Sequence, residues 1–198
     1  MYDGGVEWSP MHPTPEDPRL AYDDFLRFPD DERHEIIDGE HYVTPSPTVR
    51  HQVFVGRVHY AIESFLREHA GLGRVFVARL DVVFTLWDVV EPDLLFVAAD
   101  QSEIVTEKNV QGAPALVIEI LSPGTRKTDE HIKRRLFERE GVREYWLVDP
   151  ELDLVNVFRR RSDGSFPCEV ELSREAHDIL TTPVMPGLSI PLDELLAP

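Results

Sequence analysis

Two carboxylates in this chain stand where a carboxylate is costly. Glu119 lies inside Leu116-Val117-Ile118-Glu119-Ile120-Leu121, and its period-2 neighbours are Val117 and Leu121. An ionised acid on such a face must be paired, hydrogen-bonded or bound to a metal. Asp93 opens a second apolar run, Leu94 to Val97, directly after Pro92 and with Glu91 beside it. If the two strands are neighbours, both carboxylates converge on a hard cation, Mg²⁺ or Mn²⁺, which favours oxygen ligands. Read without that partner, Asp93 is a strand-start residue bonded to nearby backbone.

Two further residues come into question. Lys133 follows Asp129 by four positions on the next helical stretch. By spacing alone the two form an ordinary i,i+4 ion pair, worth a few tenths of a kcal/mol. In a metal site the same ammonium would orient the attacking water or neutralise charge growing on a phosphate. Glu35 precedes Ile36-Ile37 and would be a surface acid if it acted alone. The eight histidines form no HExxH pattern, and no GxSxG, P-loop or dinucleotide-type glycine fingerprint is present. Most of the histidines, His51 and His59 among them, read as solvated or locally bonded. Trp87 and Trp146 read as packing residues.

The elements that must position these groups follow from periodicity. Residues 1–18 carry four prolines and two glycines without any period, and read as a loose arm. Residues 19–198 read as one domain. A short helix is expected over Tyr22 to Phe28, and a hairpin from His34 to Val43 turning at Asp38-Gly39. Val49 to His69 is the best long helix, with Val55, Val58, Ile62, Phe65 and Leu66 on one face. A strand is expected from Arg74 to Leu86, then Leu94 to Val97 and Ala115 to Leu121. The last run is apolar throughout, as in a sheet covered on both faces. Thr128 or Asp129 would cap a helix running to about Glu140, with Gly141 ending it. Strands follow at Glu144 to Val148, Leu152 to Arg159 and Cys168 to Leu172, and a short helical piece at Leu192 to Leu196. The order predicts an α/β or α+β fold, a central mixed sheet flanked by helices.

Composition limits the chemistry. One cysteine, Cys168, excludes an internal disulfide and a thiolate cluster. With no signal-type or membrane-length apolar stretch, the expectation is a cytoplasmic protein. The net charge of −17 is awkward for a nucleic-acid enzyme. Residues 1–50 hold twelve acids against four Lys or Arg, a balance of −8, whereas residues 119–145 hold six acids against seven, a balance of +1. The strongest candidate site therefore falls in the least acidic part of the chain.

Four ordered motifs carry a resemblance. They are His34-Glu35-Ile36-Ile37-Asp38-Gly39-Glu40, then Val90-Glu91-Pro92-Asp93-Leu94-Leu95-Phe96-Val97, then Pro114 to Thr125 with Asp129 and Lys133, and finally Gly141 to Pro150. Together they resemble the large bacterial family of restriction-endonuclease type within the PD-(D/E)XK nuclease superfamily, over about Tyr22 to Leu196. The resemblance implies a restriction-endonuclease-like core and Mg²⁺- or Mn²⁺-dependent hydrolysis of DNA. Asp93 and Glu119 would be the metal ligands. Leu121 stands where the superfamily pattern has its lysine, and the resemblance implies that the lysine has migrated to Lys133 on the following helix. Glu35 would match the acid of the N-terminal element, and Asp129 would orient Lys133. Arg126, Lys127 or Arg134 would contact backbone phosphates. A homodimer would cut both strands of a duplex most simply. Two other readings stay open: a metal-dependent phosphoesterase with a different substrate, and a non-catalytic interaction protein that keeps the fold. The excess of acids and the displaced lysine favour the latter.

Overall fold

The computed structural model describes residues 19–29 and 32–197, so the loose arm read over 1–18 lies outside the described residues. After helix α1 (Tyr22–Phe25) come strands β1 (Arg33–Ile37) and β2 (Glu40–Thr44), paired antiparallel around Asp38-Gly39. Both turn residues have positive φ, 54° and 79°, the left-handed conformation this two-residue turn requires. Helix α2 (Val49–Glu68) is capped by Thr48, whose side chain accepts the His51 N–H. Strands β3 (Gly73–Val77), β4 (Val82–Thr85), β5 (Asp88–Val90), β6 (Leu94–Ala98) and β7 (Val110–Gln111) follow. Then come β8 (Leu116–Ile120), α3 (Arg134–Glu140), β9 (Glu144–Asp149), β10 (Leu154–Arg159) and β11 (Cys168–Ser173). The chain closes with β12 (Ile179–Thr181), β13 (Ser189–Pro191) and α4 (Leu192–Leu195).

The result is mixed α+β. A six-stranded sheet runs β11-β10-β9-β8-β6-β3, with β8 and β9 parallel and the other pairs antiparallel. A five-stranded sheet runs β2-β1-β5-β4-β7. The strand expected from Arg74 to Leu86 is two strands in two sheets. Ala78 still donates to the Asp93 carbonyl, one step beyond the Val77–Leu94 pair; the chain then leaves the large sheet and joins the small sheet at Val82. Arg79 and Asp81 fall at the crossing, on either side of Leu80, which packs against the second core.

The large sheet is covered on both sides, as the continuous apolar run around Glu119 predicts. Leu116, Ile118 and Ile120 pack with Phe54, Val58 and Ile62 of α2 and with Leu192 and Leu195 of α4. Val117 and Leu121 point the other way, into a second core with Leu136 and Phe137 of α3 and Ile37, Val82 and Val90 of the small sheet. By strand parity Asp93 and Glu119 belong to this second face. Each buried aliphatic side chain contributes roughly 1.5–3 kcal/mol, and two such cores let the fold carry a group of buried charges at their edge.

Candidate active site

Register brings the two strand acids together. β6 and β8 pair antiparallel with Leu94 opposite Ile118, so Asp93 and Glu119 are the next pair along. Their side chains grip one another's backbone: Asp93 N–H donates to Glu119 Oε2 at 3.2 Å, and Ile120 N–H donates to Asp93 Oδ2 at 2.9 Å. Glu35 arrives from β1 and accepts the Glu91 N–H at 3.0 Å.

Lys133 enters from the crossover between β8 and β9. The helix does not start at Thr128 or Asp129, as expected from sequence. Ser122 and Thr125 build a turn whose carbonyls already accept the Arg126 and Asp129 N–H groups, so the first helical turn lies upstream. Thr128–Lys133 then forms a π-helical segment before α3, a widened turn frequent at functional sites. It buries both Asp129 and Lys133. Lys133 Nζ lies 2.8 Å from Glu119 Oε1, 2.9 Å from Glu35 Oε1 and 3.3 Å from Asp129 Oδ1. It is therefore more than the local partner of Asp129, since its two shorter contacts join β1 and β8.

Two residues outside the predicted site complete the group: Arg33, which sequence reading passed over, and His51, which it read as solvated or locally bonded but which is buried against an acid 42 residues away. Arg33 Nη1 donates to Asp93 Oδ1 at 2.9 Å, and His51 Nε2 lies 3.0 Å from Asp93 Oδ2. Both had a readable signal. Arg33 shares the strand face of Glu35 at i,i+2, and His51 sits in the first turn of α2 in phase with buried Phe54, Val55 and Val58. A histidine on an apolar face needs a polar partner, and Asp93 is that partner.

Four carboxylates, Glu35, Asp93, Glu119 and Asp129, thus face two permanent cations, Lys133 and Arg33. Burial pushes the Glu119 carboxyl well up from the usual range, against the pull of the Lys133 ammonium. Burial raises Asp129 in the same way, again opposed by Lys133. Asp93 moves in the opposite direction. Burial alone would raise it, but the His51 hydrogen bond, the Arg33 charge and the Ile120 N–H together hold it well below the usual carboxylate range. Burial would strip the proton from Lys133, yet Glu119, Glu35 and Asp129 carry its pKa upward, so it stays an ammonium. The group is short of positive charge, and a proton or a cation would supply it.

The donor set suits a hard cation. All four acids offer oxygen only, and each carboxylate oxygen has two acceptor sites. Asp93 Oδ2 uses both of its sites, whereas Asp93 Oδ1 and both Glu119 oxygens each take one hydrogen bond among the described residues. Asp129 Oδ1 is buried and accepts no hydrogen bond. Among the described residues, however, no three His, Cys, Asp or Glu side chains already surround one point, because the acids are turned toward the internal cations. A cavity of about 300 Å³ lies beside Asp93, Glu119, Asp129 and Lys133.

The three basic residues expected at phosphates do not line this cavity. Arg126 is held by Asp149 at 2.7 Å and Glu130 at 3.1 Å. Arg134 lies over the Phe158 ring, and Lys127 is exposed. Trp146 is fully buried in the core. No helix among the described residues is long and apolar enough to cross a membrane.

The fold has known relatives. A crystal structure described as a "putative nuclease belonging to DUF820", from Anabaena variabilis ATCC 29413, superposes with a TM-score of 0.74. It is 21% identical, and the match covers 90% of this chain and 98% of that one, a likeness of fold. A search among curated proteins finds no match. The family model Uma2, described as "Putative restriction endonuclease", matches residues 22–193, from α1 into α4 and across every residue of the acid group. This chain belongs to the Uma2 family.

Proposed function

We propose that this protein is a nuclease that hydrolyses phosphodiester bonds of DNA, with Asp93 and Glu119 as the ligands of a divalent cation, Mg²⁺ or Mn²⁺. The observation that carries the reading is the convergence of Glu35, Asp93, Glu119, Asp129 and Lys133 from separate elements into one buried group beside a cavity. Stability does not account for it. Buried ion pairs of this kind are often matched or bettered by apolar residues of the same volume, and both cores were available to extend across the site.

The bound cation would supply Lewis-acid polarisation and a water of lowered pKa. The chain's own groups supply position and charge. Arg33 and His51 fix the Asp93 carboxylate from two sides, leaving Oδ1 an acceptor site to spare. Glu35 and Asp129 hold the Lys133 ammonium against Glu119, where it can stabilise negative charge developing on phosphoryl oxygens. The displaced lysine thus stands beside the same acid that the usual strand lysine would serve.

The test is cleavage of DNA with and without Mg²⁺ or Mn²⁺, in the wild type and in Glu119→Gln. The variant keeps the shape and the acceptor but lowers the ligand charge. A loss of at least 100-fold in rate, about 2.7 kcal/mol by transition-state arithmetic, is expected with an unchanged circular-dichroism spectrum. Undiminished activity in Glu119→Gln would remove Glu119 from the site. A well-folded protein that neither binds Mn²⁺ in calorimetry nor cuts DNA would favour the interaction-protein reading, to which the full internal pairing of the lysine also lends support.

A further inference from the structure

The space above the acid group is a slot with two walls. One wall is the loop from Thr44 to Thr48, between β2 and α2; the other is the turn from Ser122 to Thr125, between β8 and the crossover helix. The walls touch. A Cβ built on Gly124 would stand 2.9 Å from Cγ of Pro45, so a side chain there would force the loops apart. The first wall is also stiff. It contains Pro45 and Pro47, each with a locked φ, and it is anchored at both ends. Thr44 pairs with Arg33 in the hairpin, and the Thr48 hydroxyl accepts the His51 N–H at 3.2 Å.

At the floor of the slot Asp93, Glu119 and Lys133 are only 2–3% exposed. The volume of about 300 Å³ is at the lower end of small-molecule sites, which span roughly 300–1,000 Å³. A phosphate on an intact duplex belongs to a stiff rod whose neighbouring strand and bases must come with it. It would rest on the two walls, above the carboxylates. A single strand can turn sharply at one nucleotide and carry one phosphate down to them.

Charge points the same way. Among the described residues the basic side chains lining the slot are Arg33, His51 and Lys133, and each is already on a carboxylate. Duplex DNA presents a phosphate about every 1.7 Å of its axis, against a chain of net charge −17. A single strand has lower charge density and fewer phosphates to place near the acids. Among the described residues no tryptophan, tyrosine or phenylalanine lines the slot, so these offer bases no stacking platform there and the strand would be held by its sugar and phosphate.

We infer that the substrate is single-stranded DNA, one nucleotide of which enters the slot between Pro45–Pro47 and Ser122–Thr125, and that intact duplex is excluded. This rests on the hydrolytic reading above. The reaction adds one water across a P–O ester bond: the water oxygen joins phosphorus, the ester oxygen leaves with a proton, and no redox partner is needed. One scissile bond suffices in a single strand, so the site is complete in one copy of the chain.

The experiment compares rates with Mg²⁺ or Mn²⁺ on one labelled sequence presented as a single strand, as a blunt duplex and as a duplex with a single-stranded gap, with bis(p-nitrophenyl) phosphate as a minimal phosphodiester. The single strand and the gap are expected to be cut at least tenfold faster than the blunt duplex. The double variant Pro45→Gly, Pro47→Gly is expected to narrow that ratio by threefold or more. Equal rates on blunt duplex and single strand would overturn the inference while hydrolysis itself stood. A ratio unmoved by the double variant would overturn the slot as its cause. Absence of turnover on all four substrates, the small diester included, would overturn the hydrolytic reading and this inference with it.

Discussion

Lys133 is a full ammonium with three carboxylate oxygens around it and 2% of its surface exposed. Removing one member of such a buried group is strongly asymmetric. Lys133→Ala would leave Glu35, Glu119 and Asp129 facing one another without a counter-charge, and a loss of about 3–5 kcal/mol is expected. Glu35→Gln keeps an acceptor for the Glu91 N–H and relieves the excess of carboxylates, so it should change stability by less than about 1 kcal/mol. Urea unfolding of the two variants at neutral pH checks the contrast. A neutral Lys133→Ala would mean that the acids hold enough protons among themselves to do without the lysine. The same asymmetry explains why spacing undervalued this residue. An i,i+4 partner is visible in sequence, whereas contacts made across ninety-eight residues to Glu35 and fourteen to Glu119 are not.

At the scale of elements, the crossover from β8 to β9 is what aims Lys133, and it is pinned at its start. Arg126, in the first helical turn, donates to Asp149 at the end of β9 at 2.7 Å, while Asp149 also accepts the Glu151 and Leu152 N–H groups. Burial would raise the Asp149 carboxyl, but these hydrogen bonds, that of Arg126 foremost, hold it below its ordinary value. A carboxyl depressed on folding adds stability above its unfolded pKa of about 3.9 and loses it as pH falls through the folded value. Arg126→Ala should therefore cost about 1 kcal/mol at pH 7, a charge-assisted bond discounted for the partly exposed arginine. The gap from wild type should narrow as pH falls below the unfolded value of about 3.9 and Asp149 takes up its proton. Thermal melts of both proteins from pH 7 downward read this directly, and a gap that persists unchanged into acid would assign the loss to packing of the Arg126 stem instead.

Much at this scale was legible beforehand. The period of α2, the Asp38-Gly39 turn and the placing of Glu119 on the face of Val117 and Leu121 all follow from local pattern, because each rests on neighbours no more than four residues apart. The meeting of Asp93 with Glu119 rests instead on the register of β6 with β8. The departure after Val77 into a second sheet was not legible. β3 and β4 are both apolar, and only pairing partners far along the chain separate them. The π-helical segment over Thr128–Lys133 had no sequence mark either. The pairing of Asp93 with Arg33 and His51 spans sixty and forty-two residues, so neither helix nor strand periodicity could reveal it.

For the molecule as a whole, the question is how a chain of net charge −17 handles a polyanion. A protein that neutralises Z phosphates releases their counterions, and its affinity falls with salt at a log–log slope of about −0.7Z on single strands. A basic groove making six to ten such contacts on duplex DNA would lose about 10³–10⁵ in affinity between about 50 and 200 mM salt. The slot described above has no such groove: its lysine and arginine are spent on carboxylates, and Arg126 is held by Asp149 and Glu130. Were the strand to neutralise only about two charges on the protein, the slope would be shallower than about −2. Fluorescence anisotropy with Glu119→Gln, in chelator to remove divalent competition, gives the slope without turnover. A slope steeper than about −4 would require a phosphate-binding surface that the described residues do not form. A shallow slope would mean that recognition rests on fit within the slot, with attraction by surface charge contributing little, and that an acidic exterior works against long charged duplexes while sparing a short flexible strand.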